Sequence, residues 1–393
     1  MIPRSVYIHI PFCVKKCAYC DFLSFPSCVE NIPEYVEALC REIALAPKFW
    51  DAGKSASGTS DALTSVYFGG GTPSLLSASQ VERILSVLRE TFGFSEDCEI
   101  TLEANPGTIS PDKLSGFLAA GVNRLSLGIQ SLDDTVLETL GRIHDAKTAR
   151  RSVEEAKDAG FSNISCDMML GIPGQSRAAV ESTLSFFLQQ EIPHVSLYSL
   201  ILEEGTPMYA RYGGDIEKYV SQEEDRAMYH YVVETLKSHG FLHYEISNMG
   251  RHGFESRHNM MYWRAEPYYA FGVGAHYYLG KERGTHRPET IEEYIDLFSE
   301  KNAGEIAKDA LYEVEEILSE EDRKKEFMML AFRTGKGVEA QAFKERFGCS
   351  VESAFGEELD NEIRKALIEK TTYGYRLTEK GFDLANQVFS DYV

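Results

Sequence analysis

Three cysteines near the N-terminus, in the stretch YIHIPFCVKKCAYCDF, have the types and spacing of a metal-binding set. Three residues separate Cys13 from Cys17, and two separate Cys17 from Cys20. Cysteine thiolates are the usual ligands of iron–sulfur clusters, most cubanes use four of them, and a set of three leaves one iron open to another ligand. Structural zinc takes four ligands, usually in two separated pairs, and here only His9 stands near enough in sequence to assist. The spacing favours a cubane cluster and leaves zinc or plain buried thiols as alternatives.

A second set of candidate residues falls where β-rich runs end. The stretch YFGGGTP contains Gly70, Gly71 and Thr72, and its glycines would let a ligand approach the backbone closely. Further strand ends and the turns after them carry Glu103, Gln130, Arg142 and Asp167. Each of these alone is more often structural, and a glycine-rich turn alone is weak evidence. Their repetition at successive strand ends predicts one binding site at the rim where barrel enzymes place their chemistry.

The elements that must position these residues alternate between strand and helix patterns. Six β-rich runs are each followed by helical spacing: SVYIHI, TSVYFGGG, CEITLEANPG, VNRLSLGIQS, NISCDMMLGIPG and HVSLYSLILEEG. Such alternation is typical of βα units around a parallel sheet, and six units are fewer than the eight of a complete barrel. We therefore predict an α/β fold, an incomplete TIM-like (β/α)6 barrel, with a doubly wound sheet as the alternative. The small polar segment 51–64 predicts a surface insertion.

The pattern changes after about residue 290. Helical segments are predicted at 320–338, 339–348 and 351–370, followed by a short hairpin and a terminal helix within 373–393. Helices with a β-wing indicate an α+β domain that is winged-helix-like. We therefore predict two domains, residues 1–290 for the barrel and residues 291–393 for the C-terminal domain.

Composition excludes several classes of function. The formal net charge of −21 argues against general binding to nucleic acid, because phosphates attract clustered Lys and Arg. No apolar run reaches the roughly 18 residues of a membrane span, and the N-terminus lacks the cleavage site of a signal peptide. Five further cysteines are scattered, as expected for core thiols in a reducing compartment. We expect a cytoplasmic protein.

The cysteine motif, with Tyr19 before its last cysteine, resembles the signature of the radical S-adenosylmethionine (SAM) family. The resemblance implies a [4Fe–4S] cluster on Cys13, Cys17 and Cys20 whose open iron is chelated by SAM. An electron from the cluster would then cleave SAM to a 5′-deoxyadenosyl radical. It also implies a SAM site in which the glycine turn binds the methionyl amine, Glu103 the ribose and Arg142 the carboxylate. The full implied set is Tyr7, Tyr19, Gly70, Gly71, Thr72, Glu103, Gln130, Arg142 and Asp167.

Within that family the whole chain is similar to the branch that contains oxygen-independent coproporphyrinogen III oxidase and the haem chaperones of the HemW type. The oxidase pattern continues to a fourth cysteine, where this chain has Asp21-Phe22, and the oxidase has a longer N-terminal arm. The stretch RHNMMYW matches the HNxxYW motif of the chaperone branch. A neutral imidazole suits haem iron, and flat aromatic rings can pack on a porphyrin. The match implies haem contacts by His258, Asn259, Tyr262 and Trp263.

Three hypotheses follow for the function. The preferred hypothesis is a radical SAM haem chaperone. Its haem-binding segment would lie in the barrel domain, and its C-terminal domain would be of the HemN type that the resemblance implies. Its partners would be haem and haem-accepting apoproteins such as respiratory enzymes, and the sequence leaves open peripheral membrane association and homodimerisation. The alternatives are a coproporphyrinogen III oxidase, which the missing fourth cysteine argues against, and a zinc-stabilised binding protein without SAM chemistry.

Overall fold

The computed structural model describes residues 2–26, 28–50, 62–213, 215–299 and 306–393. Its strands are β1 Ser5–Ile10, β2 Leu63–Gly70, β3 Phe94–Ala104, β4 Arg124–Gln130, β5 Ile164–Leu170, β6 His194–Ser199, β7 Leu242–Glu245, β8 Asn248–Gly250, β9 Tyr269–Phe271, β10 His276–Tyr278, β11 Glu282–His286, β12 Tyr312–Ile317, β13 Val338–Glu339, β14 Ile368–Lys370 and β15 Gly374–Leu377. Its α-helices are α1 Ile32–Phe49, α2 Ala78–Phe92, α3 Pro111–Ala120, α4 Asp134–Leu140, α5 Ala146–Asp158, α6 Arg177–Gln189, α7 Pro207–Tyr212, α8 Gln222–Ser238, α9 Arg257–Trp263, α10 Ile291–Leu297, α11 Lys308–Leu311, α12 Glu320–Phe332, α13 Ala340–Phe347, α14 Val351–Arg364, α15 Glu379–Asp383 and α16 Ala385–Phe389. Of the predicted insertion at 51–64, residues 51–61 lie outside the described residues.

Strands β1 to β6 form the predicted barrel wall. They lie side by side in sequence order, and each pairs in parallel with the next. A doubly wound sheet would reverse its strand order at an inner strand, so this order confirms the incomplete barrel. The sheet is extended beyond the prediction by β9, which pairs in parallel with β1, by β8, which pairs antiparallel with β6, and by β7, which pairs antiparallel with β8.

The two faces of the barrel wall differ because side chains alternate along each strand. On β1, Val6, Ile8 and Ile10 are fully buried in the large core that packs under the helices. The alternate residues of β1 and β2 are polar and face the barrel interior: Ser5, Tyr7, His9, Ser65 and Tyr67. The interior of this barrel is therefore lined with groups that can form hydrogen bonds rather than with aliphatic side chains.

Capping residues set where the helices between these strands begin. An N-cap side chain accepts a hydrogen bond from the backbone N–H three residues on, which satisfies a donor that the first turn leaves open. The caps in the barrel are Ser77 (α2), Ser110 (α3), Asp133 (α4), Asp145 (α5) and Ser176 (α6). These caps fix where each helix begins after its strand, so that the loops between strand and helix lie at one rim of the barrel.

The C-terminal part has its own core. Helices α12 to α16 enclose a cluster of buried side chains that runs from Phe327 to Tyr392, with a small sheet in the order β13-β15-β14. Ile291 and Tyr294 of α10 pack instead in the large core with the barrel. Helix α9 lies between the two parts and contacts both β2 and α12. The proposed domain boundary at residue 290 stays a prediction.

Two predicted helices are too long. The helical pattern at 320–338 ends at Phe332, and Val338 belongs to strand β13. The helical pattern at 351–370 ends at Arg364, and Ile368–Lys370 is a strand that forms the hairpin with β15. The chain turns at Ala366, whose φ of 57° is left-handed, and Ile368 then pairs with Leu377 in the second core. Burial of this pair overrides the local helix pattern. Among the described helices, none has both the length and the apolar character that crossing a bilayer requires.

Candidate cluster and cofactor site

The cysteine loop follows β1 and lies against the ends of neighbouring strands and turns. The Thr72 hydroxyl donates to Cys13 Sγ at 3.5 Å, and the Arg142 guanidinium donates to Cys17 Sγ at 3.5 Å. Backbone bonds anchor the loop at Ala18, whose N–H donates to Leu140 O at 3.0 Å. Cys13 and Cys17 thus lie against side chains that can donate to a thiolate.

A cavity of about 400 Å³ opens at the carboxyl ends of the barrel strands. Its volume lies in the range of about 300–1,000 Å³ that small-molecule sites have. The predicted residues that line it are Cys13, Cys17, Tyr19, Cys20, Gly70, Gly71, Thr72, Glu103, Gln130, Arg142 and Asp167. Residues that lie on or follow each strand from β1 to β5 therefore meet in one place, with the thiols at its edge.

Tyr7 lies apart from this set. Its hydroxyl is 3.1 Å from Nδ1 of His9, and the cavity lining does not include its side chain. Nε2 of His9 is 3.1 Å from the carbonyl oxygen of Leu23, so both ring nitrogens of that histidine are already engaged. Among the described residues, no three His, Cys, Asp or Glu side chains are grouped as ligands of a single metal ion.

The glycine turn is required by close packing. A Cβ on Gly70 would lie 2.5 Å from Cε1 of His9, and Gly70 has a φ of 107°. A Cβ on Gly71 would lie 2.6 Å from the carbonyl oxygen of Phe12, which precedes the first cysteine. Because glycine has no side chain, the turn can pack against the cysteine loop. The backbone of the turn then lies at the cavity wall.

Two carboxyl groups in the cavity have raised pKa values. Burial, the larger cause, raises the pKa of Glu103 to about 7 and that of Asp167 to about 6. The Asp167 charge contributes to the raised pKa of Glu103, since like charges oppose each other's ionisation. The Tyr67 hydroxyl donates to Oε1 of Glu103 at 2.7 Å, and Ser126 Oγ donates to Asp167 at 3.5 Å. A cationic ligand would favour the ionised form of both groups.

Gln130 and Arg142 each have a buried polar atom without a hydrogen-bond partner among the described residues. Gln130 has a left-handed φ of 64° at the end of β4, a strained conformation of the kind that concentrates at binding sites. Its Oε1 is buried, and no described residue donates to it. Arg142 binds Asn105 Oδ1 at 2.5 Å and Gly128 O at 2.6 Å, yet its buried Nε has no acceptor among the described residues.

The predicted haem segment lies at the other end of the barrel. His258 is only 1% exposed, and its Nδ1 lies 2.9 Å from Ser65 Oγ, near the start of β2. Its Nε2 lies 2.9 Å from the hydroxyl of Tyr262. Burial lowers the pKa of His258 to about 3, so the imidazole is neutral. Helix α9 therefore inserts this ring into the barrel from the end opposite the cysteines.

The other three residues of the motif lie on the same helix and are half-buried. The Asn259 backbone N–H donates to Oγ of Ser256, the N-cap of α9. The centroid of the Trp263 ring lies 4.5 Å from the guanidinium of Arg333, the residue after α12, and no described residue accepts from Nε1 of Trp263. The motif thus joins the barrel to the C-terminal part.

Several cavity residues were not predicted from the sequence. Asn105, Ser126 and Tyr198 line the cavity, and Asn105 bonds both Thr72 Oγ1 at 3.0 Å and Arg142. Asn105 follows Glu103 by two residues, and Tyr198 is near the end of β6, so strand ends were the available signal. That Ser126 faces the barrel interior can be inferred only when the register of β3 and β4 is known.

Comparison with known proteins now identifies the family. The Radical SAM superfamily model matches residues 7–187, and the HemN C-terminal domain model matches residues 318–384. The chain is 36% identical over 391 residues to a protein of Lactococcus lactis subsp. lactis (strain IL1403) named "Heme chaperone HemW", covering 100% of this chain and 97% of that one. The chain belongs to the HemW family of radical SAM proteins. A second HemW, from Bacillus subtilis (strain 168), is also 36% identical and covers 99% of both chains.

The fold of a solved relative agrees with this assignment. HemN, the coproporphyrinogen III oxidase of Escherichia coli and a radical SAM enzyme, superposes with a TM-score of 0.80 over 99% of this chain and 90% of that one. Its sequence identity is 21%, so the similarity concerns the fold. Membership of the radical SAM superfamily implies a [4Fe–4S] cluster and SAM. The three thiols at the cavity edge, the Gly70–Gly71 turn and the buried Oε1 of Gln130, which has no donor among the described residues, fit these two groups.

Proposed function

We propose that this HemW-family chain is a haem chaperone that carries a [4Fe–4S] cluster and SAM, binds haem, and passes it in the cytoplasm to acceptor apoproteins such as respiratory enzymes. The observation that carries the proposal is the convergence of three thiols and the strand-end polar groups on one cavity. The full-length relatives named "Heme chaperone HemW" support the haem part.

In this proposal the assigned residues, which are those of the cavity together with Tyr7, have two roles. Cys13, Cys17 and Cys20 hold the cluster. The residues assigned to SAM are Tyr7, Tyr19, Gly70, Gly71, Thr72, Glu103, Gln130, Arg142 and Asp167. Glu103 and Asp167 accept from ligand hydroxyls or balance the sulfonium charge, and Gln130 Oε1 accepts from a ligand donor. With both cofactors bound, the chemistry available is one-electron reductive cleavage of the sulfonium.

Haem contact is assigned to the motif on α9, namely His258, Asn259, Tyr262 and Trp263. The hydrogen bonds of His258 add a condition. If Ser65 donates to Ser5 at 2.8 Å, Nδ1 of His258 carries the proton and Nε2 accepts from Tyr262. The lone pair that would bind iron is then in use, so ligation of iron by His258 requires that this hydrogen bond break.

The proposal is tested on one anaerobically reconstituted sample. Iron and sulfide analysis is expected to show a four-iron cluster that is lost when Cys13, Cys17 or Cys20 is replaced by serine. Haem titration is expected to give a saturable Soret signal, and incubation with coproporphyrinogen III, SAM and a reductant is expected to give no protoporphyrinogen. A bound zinc ion without sulfide, or formation of protoporphyrinogen, would overturn the proposal.

A pair of variants tests the assigned ligand. Replacement His258→Ala is expected to weaken haem binding and change the Soret band. Replacement Tyr262→Phe removes the competing hydroxyl, so haem affinity is expected to rise about two- to tenfold, the worth of one neutral hydrogen bond. Unchanged haem affinity in both variants would remove His258 from the haem site and leave haem binding itself to other residues.

A further inference from the structure

The ring of His258 is held in a fixed position inside the barrel. Ser65 and Tyr262 lie 2.9 Å from its two nitrogens, and its backbone N–H donates to Oε1 of Glu99 at 3.1 Å. Oε2 of Glu99 accepts the N–H of the preceding residue, Arg257, at 3.2 Å. One buried carboxylate therefore anchors the first turn of α9 to β3, and the imidazole cannot rotate without losing hydrogen bonds on both sides.

Tyr67 connects this ring to the cofactor cavity. The imidazole of His258 stacks on the phenol of Tyr67 with centroids 5.1 Å apart and planes at 26°. The same phenol packs against Tyr7 at 6.3 Å and 20°, and Gly69 leaves room for both tyrosines, since its Cβ would lie 2.9 Å from Tyr7. The Tyr67 hydroxyl then reaches Oε1 of Glu103 at 2.7 Å.

We propose that His258 is a positioning residue for the SAM site: its ring fixes the phenol of Tyr67, and Tyr67 fixes the carboxylate of Glu103 in the cavity. The proposal rests on the proposed function, because it takes the cavity to be where SAM binds. The contacts that connect α9 through β2 to β3 are all made by buried or half-buried side chains. This role does not require a contact between His258 and haem.

The proposal has a consequence for the dependence of SAM binding on pH. The hydrogen bond from Tyr67 lowers the pKa of Glu103, against the larger effect of burial. If the phenol moves away, the pKa of Glu103 rises, and SAM binding needs a higher pH to reach its maximum. The other titratable or charged groups that act on Glu103 or are acted on by it come from every neighbouring element: Tyr7 of β1, Arg124 of β4, Asp167 of β5, Tyr198 of β6 and Tyr262 of α9.

The test is a double-mutant cycle on SAM affinity. Equilibrium dialysis of labelled SAM against anaerobically reconstituted protein gives the dissociation constant, and iron analysis confirms equal cluster content. Tyr67→Phe, which lacks the hydroxyl, is expected to weaken SAM binding about tenfold, and His258→Gln about three- to tenfold. Because His258 acts through Tyr67, the double variant is expected to bind SAM as weakly as Tyr67→Phe alone. The midpoint of the pH profile is expected to move upward in His258→Gln.

Controls separate positioning from general destabilisation. His286→Gln removes another buried imidazole, one whose nitrogens contact Ala275 and Glu42 rather than Tyr67, and SAM affinity is expected to stay within about twofold of wild type. If His258→Gln does not fold, Ser65→Ala replaces it in the cycle, with an expected loss of about two- to threefold that disappears in the Tyr67→Phe background.

Two results would overturn the proposal and a third concerns the proposed function. Wild-type SAM affinity in the His258 variant would remove the positioning role. Losses that add in the double variant would show that His258 and Tyr67 act independently. If the wild-type protein carries its cluster and binds no SAM at all, the failure lies in the proposed function, so the two failures are distinguishable.

Discussion

The raised pKa of Glu103 predicts that SAM affinity depends on pH. Burial holds this carboxyl at a pKa of about 7, so it is largely neutral below that pH and ionised above it. The ionised form accepts stronger hydrogen bonds from ligand hydroxyls and attracts a cationic ligand, whereas the neutral form does neither. SAM affinity is therefore expected to rise as the pH increases through 7 and to level off above about 8.

The size of the effect follows from the ionised fraction. With a pKa of about 7, roughly a tenth of the protein has an ionised Glu103 at about pH 6.0, and nearly all of it does at about pH 8.5. If only that form binds SAM, affinity increases about tenfold across this range. Asp167, with a pKa of about 6, adds a shallower increase at the acidic end.

The assay is the same anaerobic dialysis with labelled SAM, repeated at half-unit steps of pH. The α-amino group of the ligand also titrates, at about 7.7–8.0 in free amino termini, so the wild-type profile alone is ambiguous. The Glu103→Gln variant keeps the shape of the side chain and cannot ionise, so the difference between the two profiles isolates Glu103. Profiles of the same shape in both proteins would refute the assignment of Glu103 to the ligand.

Three further predictions concern stability, cluster assembly and linkage between ligands. Glu42 is fully buried and accepts a hydrogen bond from His286 at 2.5 Å. Replacement Glu42→Gln is therefore expected to lower the free energy of unfolding, measured in urea, by about 3–5 kcal/mol. The control Glu37→Gln alters an exposed ion pair and is expected to change this free energy by less than about 1 kcal/mol. Gly71→Ala places a Cβ against the carbonyl before the first cysteine and is expected to lower iron and sulfide content, while Gly356→Ala, with open space at its Cβ, leaves both unchanged. Haem is expected to weaken SAM binding severalfold, and SAM to weaken haem binding by the same factor; independent binding in dialysis and Soret titrations would contradict this.

The cavity could be predicted from the sequence because its residues follow the chain order of the barrel. Glu103 and Gln130 lie at the ends of β3 and β4, Asp167 lies on the next strand, β5, and parallel strands bring their carboxyl ends to one rim. Asn105 was within reach of the same reasoning. Tyr7 differs from the other assigned residues, since its hydroxyl lies 3.1 Å from Nδ1 of His9 and its side chain is outside the cavity lining, and its assignment stays a prediction.

The place of the α9 motif could not be predicted from the sequence. His258 is 193 residues from Ser65, and no periodic pattern indicates that α9 inserts a ring between β2 and the C-terminal part. The strands β7, β8 and β9, which extend the sheet, could not be predicted for a similar reason. Strand β9 has three residues and joins the sheet only by pairing with β1, a long-range contact that local patterns do not encode.

The arrangement of His258 explains why binding of the two ligands should be linked. If Ser65 donates to Ser5, the Nε2 lone pair of His258 accepts from Tyr262 in the conformation that stacks on Tyr67, and iron would need the same lone pair if His258 binds haem. One lone pair cannot serve both, so iron ligation releases the ring from the position that supports Tyr67 and Glu103. A ligand that favours one arrangement disfavours the other by the same free energy, whichever binds first. A chaperone built this way would hold haem most tightly when its SAM site is empty and give it up as SAM binds.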